Sequence, residues 1–231
     1  MQTRWHPCDS DQAWLAAALD LVALAEREAL RTRGEFHIVL AGGGTPKALY
    51  EALSREEHDW SRWRVWFGDE RCLPAEHPQR NSVMARAALP GPFAALHVIP
   101  GEQGAWAAAA SYARELSSAP IFDLVLLGLG EDGHTASLFP GHIPGGNHEE
   151  SADVVAVFDA PKPPPERVSL SARRLSRARR VLFLVSGAGK RDALLHWRTS
   201  LPNSAHPPAA TILPEAGVDV LLGPSLSGVL P

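Results

Sequence analysis

Five stretches of this chain are apolar almost without interruption and then break off into glycine or charge: FHIVLAGGG, WRVWFGDER, DLVLLGLGEDG, VLFLVSGAG and GVDVLLGP. A strand with one face in water alternates apolar and polar residues, whereas a near-continuous apolar run needs cover on both faces. The segments between these runs read as helices. Residues 10–33 open on Ser10 as an N-cap and stop at Gly34, and Thr45 followed by Pro46 has the cap-then-proline order of a helix start. AWAAAASYAREL and AGKRDALLHW are helical in pattern, and LHVIP, DVVAVFD and RVSLS add shorter strands to the same rhythm. This alternation predicts an α/β fold: a doubly wound, mainly parallel, Rossmann-like sheet flanked by helices on both faces. No linker, internal repeat or low-complexity segment interrupts the sequence, and PKPPP is too short to separate two units, so a single domain over 1–231 is expected.

Bulk properties exclude several function classes. The chain has 231 residues, 45% apolar and 21% charged, which is ample for a core and ordinary for a soluble globular protein. A formal net charge of -4 leaves no broad basic surface for nucleic acid, so an anionic ligand must be held by local cations. No stretch approaches the ~18 apolar residues of a membrane span, and the N-terminus MQTRWHPCDSD lacks the apolar core of a signal peptide. Cys8 and Cys72 have no disulfide-framework or zinc-type spacing. A cytoplasmic protein is expected, with nothing that demands more than a monomer.

In open parallel sheets ligands bind beyond the carboxyl ends of the strands. The loops after FHIVLAG, WRVWFG, FDLVLLGLG and VLFLVSG share that rim, so candidate functional residues are sought there. Gly42, Gly43, Gly44 and Thr45 form a strand-to-helix turn where backbone N–H groups and a helix dipole suit an anion. It matches neither GxGxxG nor the P-loop, and a plain tight turn fits equally well. SGAGKRD places Lys190 at a second such junction, as an anion ligand or a solvated lysine. In GDERCLPAEHPQRNS, strand alternation aims Asp69 and Arg71 one way and Glu70 the other; an arginine there binds phosphate, stabilises an oxyanion, or belongs to a surface ion-pair cluster. Cys72 reads as a bystander. APKPPPERVSLS brings Arg167 to a strand start behind a rigid, proline-rich approach.

GEDGHTASLFPG, residues 130–141, is the most polar and flexible of these loops. His134 has an ordinary pKa near ~6.5, so it is largely neutral at pH 7 and able to take a proton from water. Asp132 is placed to orient its ring. Thr135 to Leu138 reads as a short helix whose N-terminus lies beside His134 and disfavours imidazolium. A helix-capping histidine is the plainer alternative. A metal site is a weaker one, because His134, His142 and His148 fit no common ligand spacing.

Taken together, GGGTP, FGDERCLP with the later Asn81, GLGEDGHTASLFPG, PKPPPERVSLS and SGAGKRDAL resemble the 6-phosphogluconolactonases in order and approximate spacing, nearly end to end. The wider superfamily includes glucosamine-6-phosphate deaminase, whose pattern has an aromatic residue in place of Arg71. It also has a relay glutamate five residues beyond the loop histidine, where this chain has Phe139. Both departures favour lactone hydrolysis over amine chemistry.

The resemblance implies hydrolysis of 6-phospho-D-glucono-1,5-lactone to 6-phospho-D-gluconate, the second step of the oxidative pentose phosphate pathway, without metal or cofactor. It implies His134 as general base, Arg71 or nearby N–H groups at the oxyanion, and Asp69 positioning Arg71 or a sugar hydroxyl. Gly42, Gly43, Gly44, Thr45, Arg167 and Lys190 are expected to hold phosphate or substrate, with Asn81, Asp132 and Gly133 in the same site. Arg80 either adds charge at the phosphate end or faces solvent. The loop 140–151 is a candidate to close over ligand. A deaminase or isomerase and a non-catalytic sugar-phosphate-binding protein are the alternatives.

Overall fold

The structure, a computed structural model, describes residues 2–141, 152–199 and 206–229. Its main sheet has seven strands, all parallel, flanked by helices, as the continuous apolar runs demand. In chain order the elements are β1 (Thr3–Pro7), α1 (Asp11–Arg33), β2 (Phe36–Leu40), α2 (Gly44–Leu53), β3 (Trp63–Phe67), β4 (Asp69–Arg71), α3 (Asn81–Ala88), β5 (Ala95–His97), α4 (Ala105–Leu116), β6 (Leu124–Gly128), β7 (Val154–Val157), β8 (Arg167–Leu170), α5 (Ala172–Ser176), β9 (Val181–Val185), α6 (Arg191–Thr199) and β10 (Val218–Leu222).

The strand order β1-β10-β9-β6-β2-β3-β5 places β2 and β6 side by side at the centre. From β2 the chain winds outward to β3 and β5, then returns to β6 and winds the other way. The loops leaving β2 and β6 therefore diverge, and a crevice opens between them at the topological switch point.

Local signals worked best where the chemistry was local. Ser10 caps α1 by accepting a hydrogen bond from Ala13 N at 3.1 Å, and Gly34 ends it at φ 79° with its N–H donating to Leu30 O. At α2 the expected cap is off by two residues. Gly43, not Thr45, is the N-cap, because its φ of 106° makes the turn, and Thr45 already lies inside the helix. Its hydroxyl is thereby left to Ser186, at 2.8 Å.

The sequence rhythm also misassigns three segments. WRVWFGDER is not one strand but two, and DVVAVFD and RVSLS do not join the parallel sheet. They pair with the GDER segment in a separate antiparallel sheet of order β4-β8-β7. One face of this small sheet packs on the main core through Val154, Ala156, Val168 and Leu170; the other covers a small cluster of Phe139, Val155, Val157 and Ala160. β1 pairs with β10 at the sheet edge, a strand the polar TRWHP pattern does not announce.

Candidate active site

A cavity of about 230 Å³ lies at the carboxyl ends of β2, β6 and β9, roofed by residues of β4 and β8. Ten of the twelve residues singled out from sequence line it: Gly42, Gly43, Gly44, Thr45, Asp69, Arg71, Asn81, His134, Arg167 and Lys190. Asp132 and Gly133 do not. Asp132 stands behind the histidine, and Gly133, at φ 84°, turns away so that a Cβ there would lie 2.6 Å from Pro207. In this structure both shape the loop that carries His134.

The histidine loop is built around one glycine. A Cβ on Gly130 would sit 2.0 Å from His134 Nδ1 and 2.5 Å from Asp132 Oδ1, so only glycine admits this pair. His134 Nδ1 and Asp132 Oδ1 are 2.5 Å apart, and the His134 backbone N–H donates to the same oxygen at 3.2 Å. An ionised carboxylate only accepts, so Nδ1 carries the proton and Nε2 keeps its lone pair. Burial lowers the His134 pKa below its ordinary value, opposed by the Asp132 bond and charge, assisted by Lys162 and opposed again by Asp69. Burial works against ionisation of Asp132 too, but the bond from His134 brings its pKa below the ordinary range. A neutral imidazole bonded to a carboxylate is a base at pH 7.

The helix expected at Thr135 to Leu138 is absent. Those residues form a tight turn closed by Leu138 N–H donating to Thr135 O at 2.9 Å, with Ala136 at φ 48°. Thr135 Oγ1 donates to Gly128 O and Ser137 Oγ donates to Asp69 Oδ2 at 2.6 Å, so side-chain bonds rather than helical ones shape it. Burial, not a helix dipole, lowers the His134 pKa.

Across the cavity, alternation along β4 holds: Asp69 and Arg71 face the cavity and Glu70 is fully buried behind it. Glu70 caps α3 from outside the helix. Its Oε1 accepts from Asn81 N and Arg71 N, its Oε2 from Ser82 N, which compensates for the absence of a side-chain N-cap on α3. Arg80, expected at the phosphate end or in solvent, is instead buried. It lies 3.4 Å from Glu70, donates to Glu102 at 2.8 Å and donates to Ile99 O. Asp69 does not bond Arg71. It accepts from Asn81 Nδ2 at 2.9 Å and from Ser137 Oγ, tying the histidine turn to the start of α3. Asn81 therefore buttresses Asp69, and Gly42 is glycine because a Cβ there would lie 2.0 Å from Asn81 Oδ1.

Arg71 and Arg167 stand directly opposite each other on β4 and β8. Like charges in that register repel. Arg167 is buried and held by carbonyls of its own proline-rich approach: Nη2 donates to Lys162 O at 2.7 Å and Nε to Pro164 O at 3.1 Å. Its pKa is lowered first by burial, with Asp69 opposing and Arg71 assisting. Arg71 Nη1 donates to Gln79 O, while its Nε is buried with no partner. Among the described residues, neither arginine nor Lys190 is in ion-pair contact with a carboxylate. The lining thus carries three cations against one carboxylate, in a chain of net charge -4. Opposed guanidinium groups, one with an unpartnered Nε–H, fit an anion.

Sequence reasoning missed Ser186, whose signal was its place directly after β9, and Glu70 and Ser137, whose roles depend on partners far along the chain. Burial pushes the Cys72 thiol up to about 11, which suits a bystander. Among the described residues no group of three or more His, Cys, Asp or Glu is placed to hold a metal; His142 and His148, and loop 142–151, lie outside them. No helix among the described residues is long and apolar enough to cross a membrane.

Fold and cleft together define an α/β protein with a cation-lined cavity beside a histidine bonded to a carboxylate. Residues 9–221 match the family model described as Glucosamine-6-phosphate isomerases/6-phosphogluconolactonase, and the chain belongs to that family. It is 40% identical over 204 residues to a 6-phosphogluconolactonase of Mycobacterium tuberculosis, covering 80% of this chain and 81% of that one. It is 38% identical over 201 residues to the 6-phosphogluconolactonase of Streptomyces coelicolor, covering 78% and 76%. The solved 6-phosphogluconolactonase of Trypanosoma brucei superposes with a TM-score of 0.84 at 29% identity, covering 100% of this chain and 99% of that one.

Proposed function

We propose that this chain hydrolyses 6-phospho-D-glucono-1,5-lactone to 6-phospho-D-gluconate, with His134 as general base. The observation that carries the reading is His134, bonded to Asp132 and lining a cavity whose charged groups are mainly cationic. A six-membered lactone is an activated ester, so one water made nucleophilic at the carbonyl is sufficient chemistry. His134 Nε2 takes the proton from that water as its oxygen attacks C1, and Asp132 stabilises the imidazolium that forms. Negative charge moves onto the carbonyl oxygen, where the Arg71 guanidinium of the lining offsets it. Collapse of the tetrahedral species opens the ring, and the ring oxygen leaves with a proton returned from His134. The phosphate lies against the turn of Gly43, Gly44 and Thr45 with Lys190 beside it, and Arg167 completes the positive wall. Asp69 offsets part of that charge and anchors the histidine turn.

The lactone also opens spontaneously, so it is generated in place by glucose-6-phosphate dehydrogenase and turnover is read above that background. His134→Ala should lower kcat by ~10²–10⁴-fold with KM little changed. Near-normal turnover in that variant would remove the base from the mechanism. Ammonia release from glucosamine 6-phosphate, or binding of 6-phosphogluconate with no lactone turnover, would overturn the reaction itself.

A further inference from the structure

Phe139 lies five residues beyond His134, and the hydrolysis just described gives it no task. Its side chain is buried, with 2% of its surface exposed, and forms the centre of the small cluster with Val155, Val157 and Ala160. From that seat the ring reaches both sides of the candidate site. Its centroid is 4.8 Å from the His134 imidazole at an interplanar angle of 41°, and the Arg167 guanidinium carbon stands 5.4 Å from it. The first is van der Waals contact between rings; the second is within the ~6 Å reach of a cation–π interaction. One apolar plate therefore stands against the base and the cation together.

We propose that Phe139 is a positioning residue that fixes the plane of the His134 imidazole and shields that ring from bulk water. The proposal rests on the reading of His134 as the base. Asp132 already fixes one nitrogen, but a single hydrogen bond lets a ring pivot about its axis. A buried plate against the imidazole removes that freedom, and its own seat in the small cluster keeps it from following. Shielding has a second consequence. Burial is the largest cause that lowers the His134 pKa, and Phe139 is the aromatic wall in contact with the ring. The charged groups that face the imidazole are Asp132 on its own loop, Lys162 on the proline-rich approach to β8, and Asp69 on β4; Arg71 and Asp69 face Arg167. None of them is altered when Phe139 is replaced, so a movement of the His134 titration reads the loss of cover.

The test is an NMR titration of the His134 ring in the intact protein, alongside kcat and KM across pH, for wild type, Phe139→Leu and Phe139→Ala. Exposing the imidazole should raise its midpoint toward ~6.5, by at least ~0.5 pH unit in Phe139→Ala and in the same direction by less in Phe139→Leu. In parallel kcat should fall ~10-fold while KM changes less than ~3-fold. Phe139→Leu keeps most of the apolar volume, so it carries the test if Phe139→Ala does not fold. A folded variant with a lower Tm but an unmoved His134 midpoint and near-normal kcat would show that the ring only fills space, and would overturn the proposal. The NMR midpoint does not depend on turnover. Failure of His134 as the base would appear in His134→Ala, and failure of the positioning role would appear here.

Discussion

The two sheets meet at the same cavity and contribute to it in opposite ways. The seven-stranded sheet is buried along its central strands, and it reaches the cavity through strand ends and the loops that follow them: Ala41 to Pro46, Gly128 to Gly130, His134, Leu184, Ser186 and Lys190. It offers backbone, glycines, hydroxyls, the histidine and one cation. The three-stranded sheet places Asp69, Arg71 and Arg167 on its strands, two of them as opposed like charges, over a cluster of only four apolar residues. Stability is concentrated in one sheet and most of the cavity's charge in the other. Packing a charged, self-repelling pair into the large sheet would cost its core; set on a short separate sheet, the pair is tolerated and kept available for an anion.

The comparison breaks most severely from the side of the large sheet. Phe183 is fully buried in β9 and packs edge-on against Trp197, with centroids 4.8 Å apart. Phe183→Ala should destabilise the fold by about 3–5 kcal/mol, read by urea or thermal unfolding. A loss under about 1 kcal/mol would mean that the parallel sheet does not carry the stability assigned to it.

An intermediate effect comes from the small sheet, and its sign is the point. Arg71→Met removes one member of the opposed pair, so Tm should stay level or rise while kcat/KM for the lactone falls ~10-fold or more. A Tm that drops with activity unchanged would reverse the contrast between the two sheets. The smallest effect is in pH. Because burial holds the His134 pKa below its ordinary 6.5, the acid limb of kcat/KM should lie below 6.5 and activity should fall only as pH drops through that depressed value. The unfolded imidazole binds protons more readily, so the associated loss of stability is absent above pH 6.5, grows as pH falls, and is complete below the folded pKa. An acid limb above 6.5 would contradict the buried, neutral histidine.

Much of this was legible in the sequence because the physics involved was local. A run such as VLFLV declares burial on both faces within five residues, and Ser10 with Gly34 marks both ends of α1 through hydrogen bonds that span a turn. The glycine-flanked polar loops marked the rim, and ten of twelve proposed residues do line the cavity. The errors cluster where a residue's part is set by a distant partner. Arg80, read as facing phosphate or solvent, is buried between Glu70 and Glu102, and the turn after His134, helical in pattern, is shaped by the bond from Ser137 to Asp69 across the cleft.

The amino-acid order by itself determined the parallel α/β core, the rim that carries the candidate site and the proposed base, since each follows from periodicity or from side-chain chemistry. Only the tertiary structure decided that β4, β7 and β8 leave the main sheet, that Arg71 and Arg167 face each other, and that Phe139 stands against the imidazole. Strand partners and ring contacts join residues far apart in the chain, and no local propensity encodes a pairing whose energy appears only once both partners are in place.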